Sequence, residues 1–396
     1  MRKLLTALIG LLLVGVPAVD ARAGLVWHLD QIRYHEAVND ERWAHHLSLG
    51  AGQSIVILDT GIDPDHVLLN DRAVSGGDFT PGAGSWADVH GHGTAVASVA
   101  AGRAAWLTTG EAITGVAPHA GLMSLRVLDH RGTGSFASIN NALAWLIDAV
   151  RDGQASVDAV NLSLGSETTF ASPGELFGST VETFNDHARA LRDMGIPVIA
   201  AAGNDGDSEA LSFPAISPYV ISVGASTRSD TFASFSNRNT ELDLVAPGRG
   251  IIAAWAGLGA GPDNMLGSYD GTSFAAPQVA AAVLLINELH EALHGRRPGQ
   301  EEMLELLRTS ETVVEDVAAG VAVPRLDVFA ALEAMYVAAV PVPEPGTAAV
   351  MAALVLAATR VRWRRRDQAV TGNRAAVAHG QGDQHAGGDR AARPAG

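Results

Sequence analysis

The stretch from Ser273 to Ile286 constrains this chain more than any other. Ala275-Ala276-Pro277-Gln278-Val279 runs into Ala280-Ala281-Ala282-Val283-Leu284-Leu285-Ile286, which is small or aliphatic on nearly every side. A helix that is apolar all round belongs inside a domain, so the rest of the chain has to build a core around it. Ser273 then stands in the first turn of a buried helix, where unpaired N–H groups and the helix dipole favour negative charge. It is either an N-capping serine or a nucleophile. Pro277 is expected early in this helix, where a missing N–H is tolerated.

The material for that core is a series of short apolar runs. Ser54-Ile55-Val56-Ile57-Leu58 ends in Asp59-Thr60-Gly61, and Leu122 to Val127, Val157 to Leu162, Ile196 to Ala201 and Val220 to Val223 repeat the pattern. Continuous apolar runs of this length are strands buried on both faces. Helical segments lie between them, most clearly Ser138 to Val150, whose Ile139, Leu143, Leu146, Ile147 and Val150 share one face. Alternating strands and helices predict an α/β fold, a mostly parallel sheet with helices on both faces. Such sheets carry their functional groups at the carboxyl ends of strands, and Asp59 is so placed.

Three further motifs bear on chemistry. Asp88-Val89-His90-Gly91-His92-Gly93-Thr94 leads into an alanine-rich helix, and its glycines allow close approach to His92. A His90/His92 metal pair with Asp88 and a purely structural histidine compete here with a general base. The base is preferred, because Asp59 and Ser273 supply the orienter and the nucleophile. Asp59-Thr60-Gly61 also occurs in aspartic proteases, but that chemistry needs two such carboxylates and the triplet occurs once. Val198 to Ala202 runs into Gly203-Asn204, whose amide suits a developing oxyanion. Asn161-Leu162-Ser163-Leu164-Gly165 lacks the first glycine of a Gly-x-Ser-x-Gly elbow, which counts against Ser163 as the nucleophile of an α/β-hydrolase.

Taken in order, Asp59-Thr60-Gly61-Ile62-Asp63, His92-Gly93-Thr94, Asn204 in Ala-Ala-Gly-Asn and Gly271-Thr272-Ser273-Phe274-Ala275-Ala276-Pro277 resemble the subtilisin-like serine proteases over roughly Trp27 to Met335. The resemblance implies a three-layer subtilisin-like fold and peptide-bond hydrolysis. Ser273 attacks the carbonyl, His92 takes its proton, Asp59 holds the imidazole, and Asn204 with the Ser273 N–H stabilises the oxyanion. It also implies that a polypeptide substrate is bound as an added strand between Gly132-Thr133-Gly134 and Ser163-Leu164-Gly165. The same resemblance implies that Asp205 lies near the rim of the primary pocket, where basic side chains should be tolerated. The long separation of His92 and Ser273 implies inserted loops around Glu167 to Gly178. A catalytically silent scaffold used for surface binding is the rival reading.

Departures from the family are informative. Many relatives hold a calcium ion through an aspartate nine residues after the orienting one and through a loop in the helix region after the histidine. Here those places hold Leu68 and Trp106 to Ile113, so that tight site is expected to be absent, with only weak structural calcium in prospect and no cofactor or metal ligand assigned. The stretch from Gly24 to Leu47 is too short for the family's usual pro-domain, which predicts folding without one. His35, His45 and His46 on this arm read as surface or capping residues.

The remaining features concern location. Met1-Arg2-Lys3, an apolar run and Ala21-Arg22-Ala23 predict a signal peptide over residues 1–23. The peptidase domain is expected over 24–338. Val342-Pro343-Glu344-Pro345, the apolar run Thr347 to Ala358 and the arginines Arg360 to Arg366 resemble a PEP-CTERM sorting signal over 339–366. That implies an exosortase-type partner, a Gram-negative setting and a membrane end before processing. The run is short against the roughly 20 residues that span a bilayer, and a terminal core helix with a basic end is the alternative. Residues 367–396 read as a disordered tail. No cysteine is present, so disulfides and thiolate chemistry are excluded. A net charge of −16 argues against a nucleic-acid partner.

Overall fold

A computed structural model describes residues 26–70, 74–82, 84–106, 112–255 and 266–339. The signal-peptide and sorting-signal readings, the tail and most of the calcium loop fall outside these residues. The chain begins with the short helices α1 (Trp27–Gln31) and α2 (Tyr34–Asn39), followed by β1 (Ser54–Asp59), β2 (Val74–Asp78), α3 (His92–Ala101) and the ribbon β3 (Ala105–Trp106) and β4 (Ala112–Ile113). The middle carries β5 (Gly121–Arg126), α4 (Phe136–Arg151), β6 (Ala159–Leu162), β7 (Thr169–Phe170), α5 (Ser179–Asp193), β8 (Val198–Ala201), β9 (Leu211–Ser212) and β10 (Ile221–Ser226). The last part holds β11 (Leu244–Pro247), β12 (Ile251–Ala254), β13 (Leu266–Tyr269), α6 (Thr272–His294), α7 (Gln300–Leu307), β14 (Val313–Asp316), β15 (Val321–Pro324) and α8 (Val328–Ala339).

Seven strands form one parallel sheet in the order β11-β10-β8-β6-β1-β5-β2. Each predicted strand is present, shifted by one to three residues at its ends. The two outermost, β2 and β11, lack an apolar run long enough to announce them. In β2, Gly76 is required by packing: a Cβ there would fall 1.8 Å from the Ser124 carbonyl oxygen.

Residues along β1 alternate between two cores. Ile55 and Ile57 join the side that contains α3 and α6, while Val56 and Leu58 join the side that contains α4 and α5. Burying both faces explains why the strand reads as continuously apolar. α4 extends the predicted helix at both ends and is capped by Ser135, whose hydroxyl accepts from Ser138 N–H at 3.1 Å. α6 is enclosed as expected, with nearly every residue from Thr272 to His290 buried.

The N-terminal arm is docked rather than trailing. Trp43 is fully buried against Phe329 and Tyr336 of α8, and its indole N–H donates to Ala37 O at 2.7 Å. Glu288 of α6 accepts from the backbone N–H groups of Ser48, Leu49 and Gly50. His45 and His46 are exposed and His35 is half-buried.

Candidate active site

The crossover from β5 through α4 to β6 passes over β1, so the direction of strand addition reverses at β1. A crevice opens at the carboxyl ends of the strands at such a point, and β1 ends there in Asp59. The Asp59 carboxylate is fully buried, and both of its oxygens lie 2.9 Å from His92 Nδ1. Oδ1 also accepts from Thr60 N–H at 2.7 Å. Because a carboxylate accepts, Nδ1 carries the proton and Nε2 faces away as a base.

His92 opens α3, and its approach to Asp59 depends on Gly93. A Cβ on Gly93 would fall 2.0 Å from Gly61 O and 3.1 Å from Asp59 Cβ. The turn before the helix is gathered by Asp88. One of its oxygens accepts from Thr60 Oγ1, His90 N–H and Gly91 N–H, and the other from Thr94 N–H, all at 2.8–2.9 Å. Burial alone would hold the His92 pKa down, but the adjacent Asp59 and the nearby Asp88 outweigh it and raise the imidazole above its ordinary value.

Ser273 lies in the first turn of α6, with its hydroxyl donating to Ser163 O at 3.2 Å. Pro277 sits deeper in the helix than expected. Lacking an N–H, it leaves the Ser273 carbonyl four residues earlier without its helical donor. Ser163 Oγ supplies the missing bond at 2.8 Å and is itself held by Asn161 Nδ2 at 2.9 Å. The sequence motif therefore brings a proline whose lost hydrogen bond is restored from β6.

Asn204 follows β8 and is exposed. Its Oδ1 accepts from both Thr272 N–H and Thr272 Oγ1 at 2.9 Å. A backbone donor fixes which end of the amide is oxygen, so Nδ2 points the other way. A Cβ placed on Gly271 would lie 3.6 Å from both Asn204 Nδ2 and Ser273 N, so the two donors border one small space.

Of the predicted substrate edges, Gly132, Thr133 and Gly134 are exposed on a turn in which Asp129 N–H donates to Thr133 O and Leu128 bridges Gly134. On the other edge Ser163 is buried, Leu164 half-buried and Gly165 exposed. Asp205 is exposed, with Oδ2 accepting from Asn237 Nδ2 at 2.9 Å. His90 and His92 rings are 6.5 Å apart, and among the described residues no group of three or more His, Asp or Glu side chains is arranged to hold a metal. Leu68, at the departed calcium position, is buried.

Sequence reasoning passed over three residues in supporting places. Thr272 and Asn161 sit inside the motifs without a role assigned to them, while Asn237 lies in a segment with no chemical signature. An aromatic row also escaped notice: Phe274 meets His92 edge-on at 5.8 Å and stacks on Tyr269 at 5.4 Å, which stacks on Trp255 at 5.3 Å. Only the tertiary fold brings these rings together.

A parallel sheet with a carboxylate, an imidazole, an amide and a hydroxyl at its crevice defines a class. The sequence profile of the Subtilase family matches residues 50–320, and the chain belongs to that family. It is 36% identical over 272 residues to Subtilisin-like protease 3 of Pseudogymnoascus destructans, covering 67% of this chain and 61% of the relative. Alkaline protease 1 of Aspergillus clavatus is 31% identical over 301 residues, 76% of this chain and 67% of that protein. Subtilisin E of Bacillus subtilis is 37% identical over 246 residues, 61% and 57% respectively. The chain thus spans about six-tenths of the length of these relatives.

Proposed function

We propose that the protein is an exported serine endopeptidase that hydrolyses polypeptides through an acyl-enzyme. Ser273 Oγ attacks the scissile carbonyl and passes its proton to His92 Nε2. Asp59 fixes the tautomer and stabilises the imidazolium, and Asn204 Nδ2 with Ser273 N–H receives the oxyanion. His92 then protonates the leaving amine, and water repeats the sequence to release the acid. The observation that carries this reading is the buried Asp59 carboxylate held at 2.9 Å from His92 Nδ1, with Ser273 in the first turn of a core helix whose next residue, Phe274, meets the His92 ring at 5.8 Å. In the resting arrangement the hydroxyl donates to Ser163 O, so attack requires that bond to be exchanged for one to His92 Nε2. The substrate is added as a strand beside Gly132-Thr133-Gly134 and Ser163-Leu164-Gly165, whose exposed glycines allow main-chain approach.

Stoichiometric labelling by a fluorophosphonate probe, together with casein hydrolysis, tests the proposal. Both should vanish in Ser273→Ala. A wild-type protein that takes up no label and cleaves no casein would favour the silent binding scaffold. Export and sorting rest on the residues 1–23 and 339–366 and on the exosortase they imply. Mass spectrometry of the mature termini tests this part, with an intact 396-residue chain as the outcome that rejects it.

A further inference from the structure

The loop that presents Asn204 has little regular structure, yet an oxyanion donor works only if it is already in place when charge develops. Gly203 and Gly206 both adopt left-handed backbone, with φ of 107° and 71°. Nothing in the loop's own sequence makes it rigid. Its rigidity comes from a neighbouring segment, Phe235 to Arg238. Gly206 N–H donates to Phe235 O at 2.7 Å, and Arg238 N–H to Asp207 O at 2.8 Å.

Asn237 is the centre of this arrangement and is fully buried. Its Oδ1 accepts from Asp205 N–H at 2.9 Å and from Asp207 N–H at 3.0 Å. Its Nδ2 donates to Asp205 Oδ2 at 2.9 Å and to Ser212 Oγ at 3.3 Å. Its backbone N–H donates to Gly203 O at 3.1 Å. The side chain therefore fills all four of its hydrogen-bonding positions, and its bonds reach both sides of Asn204. A Cβ on Gly203 would fall 2.3 Å from Asn237 Nδ2, which shows how closely the loop is wound on this amide. A carboxylate would accept the two backbone bonds but face Asp205 with like charge, and an aliphatic side chain would leave several buried groups unpaired.

We propose that Asn237 is a positioning residue that fixes the Asn204 amide at the oxyanion site. This rests on the assignment of Asn204 made above, and the two can be tested apart. Steady-state kinetics on a peptide p-nitroanilide, normalised to fluorophosphonate-titrated sites, would compare Asn204→Ala, Asn237→Asp, the milder Asn237→Ser, the exchange Asp205→Asn with Asn237→Asp, and Asn204→Ala with Asn237→Ser. Asn204→Ala should lower kcat about 100-fold, the order seen when serine proteases, subtilisin among them, lose one such donor. Asn237→Asp should lower kcat at least about tenfold with KM within about twofold, and affinity for a peptide aldehyde should fall in step, because its hemiacetal oxygen needs the same donors. The exchange variant recreates the bond with donor and acceptor reversed and should recover kcat to within about threefold of wild type. Combined with Asn204→Ala, the serine variant should cause little further loss.

Undiminished kcat per titrated site in both single Asn237 variants would overturn the inference. So would full additivity in the double variant, since that places the effect of Asn237 elsewhere than in Asn204. An Asn204→Ala protein with normal kcat would instead sink the oxyanion assignment itself.

Discussion

The two halves of the cleft are held by different chemistry. On the side of Asp59 and His92 the organising group is a carboxylate, Asp88, which collects hydroxyl and backbone donors from Thr60, His90, Gly91 and Thr94. On the side of Ser273 and Asn204 the organisers are neutral: Thr272, Ser163 and Asn237. The carboxylates of the second side are turned aside, Asp205 to Asn237 and Asp207 to Thr169 and Glu209 N–H. This division follows where charge develops. In the proposed mechanism an imidazolium forms at His92 and gains from negative neighbours, whereas an oxyanion beside Ser273 gains from neutral donors and would be opposed by a carboxylate.

Neutralising the first half at its centre should have the largest effect. Asp59→Asn is expected to lower kcat about 10⁴-fold, because an amide permits the wrong imidazole tautomer. Steady-state kinetics on titrated enzyme would measure this, and a loss below tenfold would break the contrast between the halves.

Asp88→Asn should follow. Hydrogen bonds to a charged group contribute about 1.5–3 kcal/mol, so kcat/KM should fall between about tenfold and about 150-fold if that energy holds His92 in place. The sign of the pH effect is definite. The proposed mechanism needs neutral His92, whose pKa is raised by Asp59 and, less strongly, by Asp88. Removing the Asp88 charge lowers that pKa, so the acid limb of kcat/KM should move to lower pH. A limb that stays put or moves up would show that Asp88 acts through structure alone.

Ser163→Ala probes the neutral half more gently. It strips Ser273 O of the donor that replaces Pro277 and leaves the Asn161 side-chain amide without its acceptor, which should destabilise the fold by about 1–3 kcal/mol in denaturant titrations. Its acid limb should stay where the wild type has it, since no charge is changed.

The smallest effect expected is that of salt. Asp59 is buried in direct contact with His92, so raising salt from 0.1 to 1 M should move the acid limb by only a few tenths of a pH unit. A larger shift would mean that solvent-exposed charge dominates His92.

Much of this was legible in the chain itself. The continuous apolar runs of β1, β5, β6, β8 and β10 can be buried only on both faces, and α6 could be nowhere except inside. The residues of the cleft were legible for a different reason: Asp59, His92, Asn204 and Ser273 each have a glycine within two residues, and at Gly93 and Gly203 close approach leaves no room for a side chain. The edge strands β2 and β11 were not legible, because an edge is paired on one side and needs no long apolar signature. Asn237 was equally silent, because a buried amide is recognised only by the loop it holds.

The sequence by itself determined the layers and pointed to the proposed reacting groups, since hydrophobic period and side-chain chemistry are local properties written residue by residue. Only the tertiary structure decided which hydroxyl replaces the hydrogen bond lost at Pro277, which end of Asn204 faces the cleft, and which buried amide steadies it. Those choices depend on distances between segments far apart in the chain, and hydrogen bonds discriminate over tenths of an ångström that no spacing along a sequence encodes.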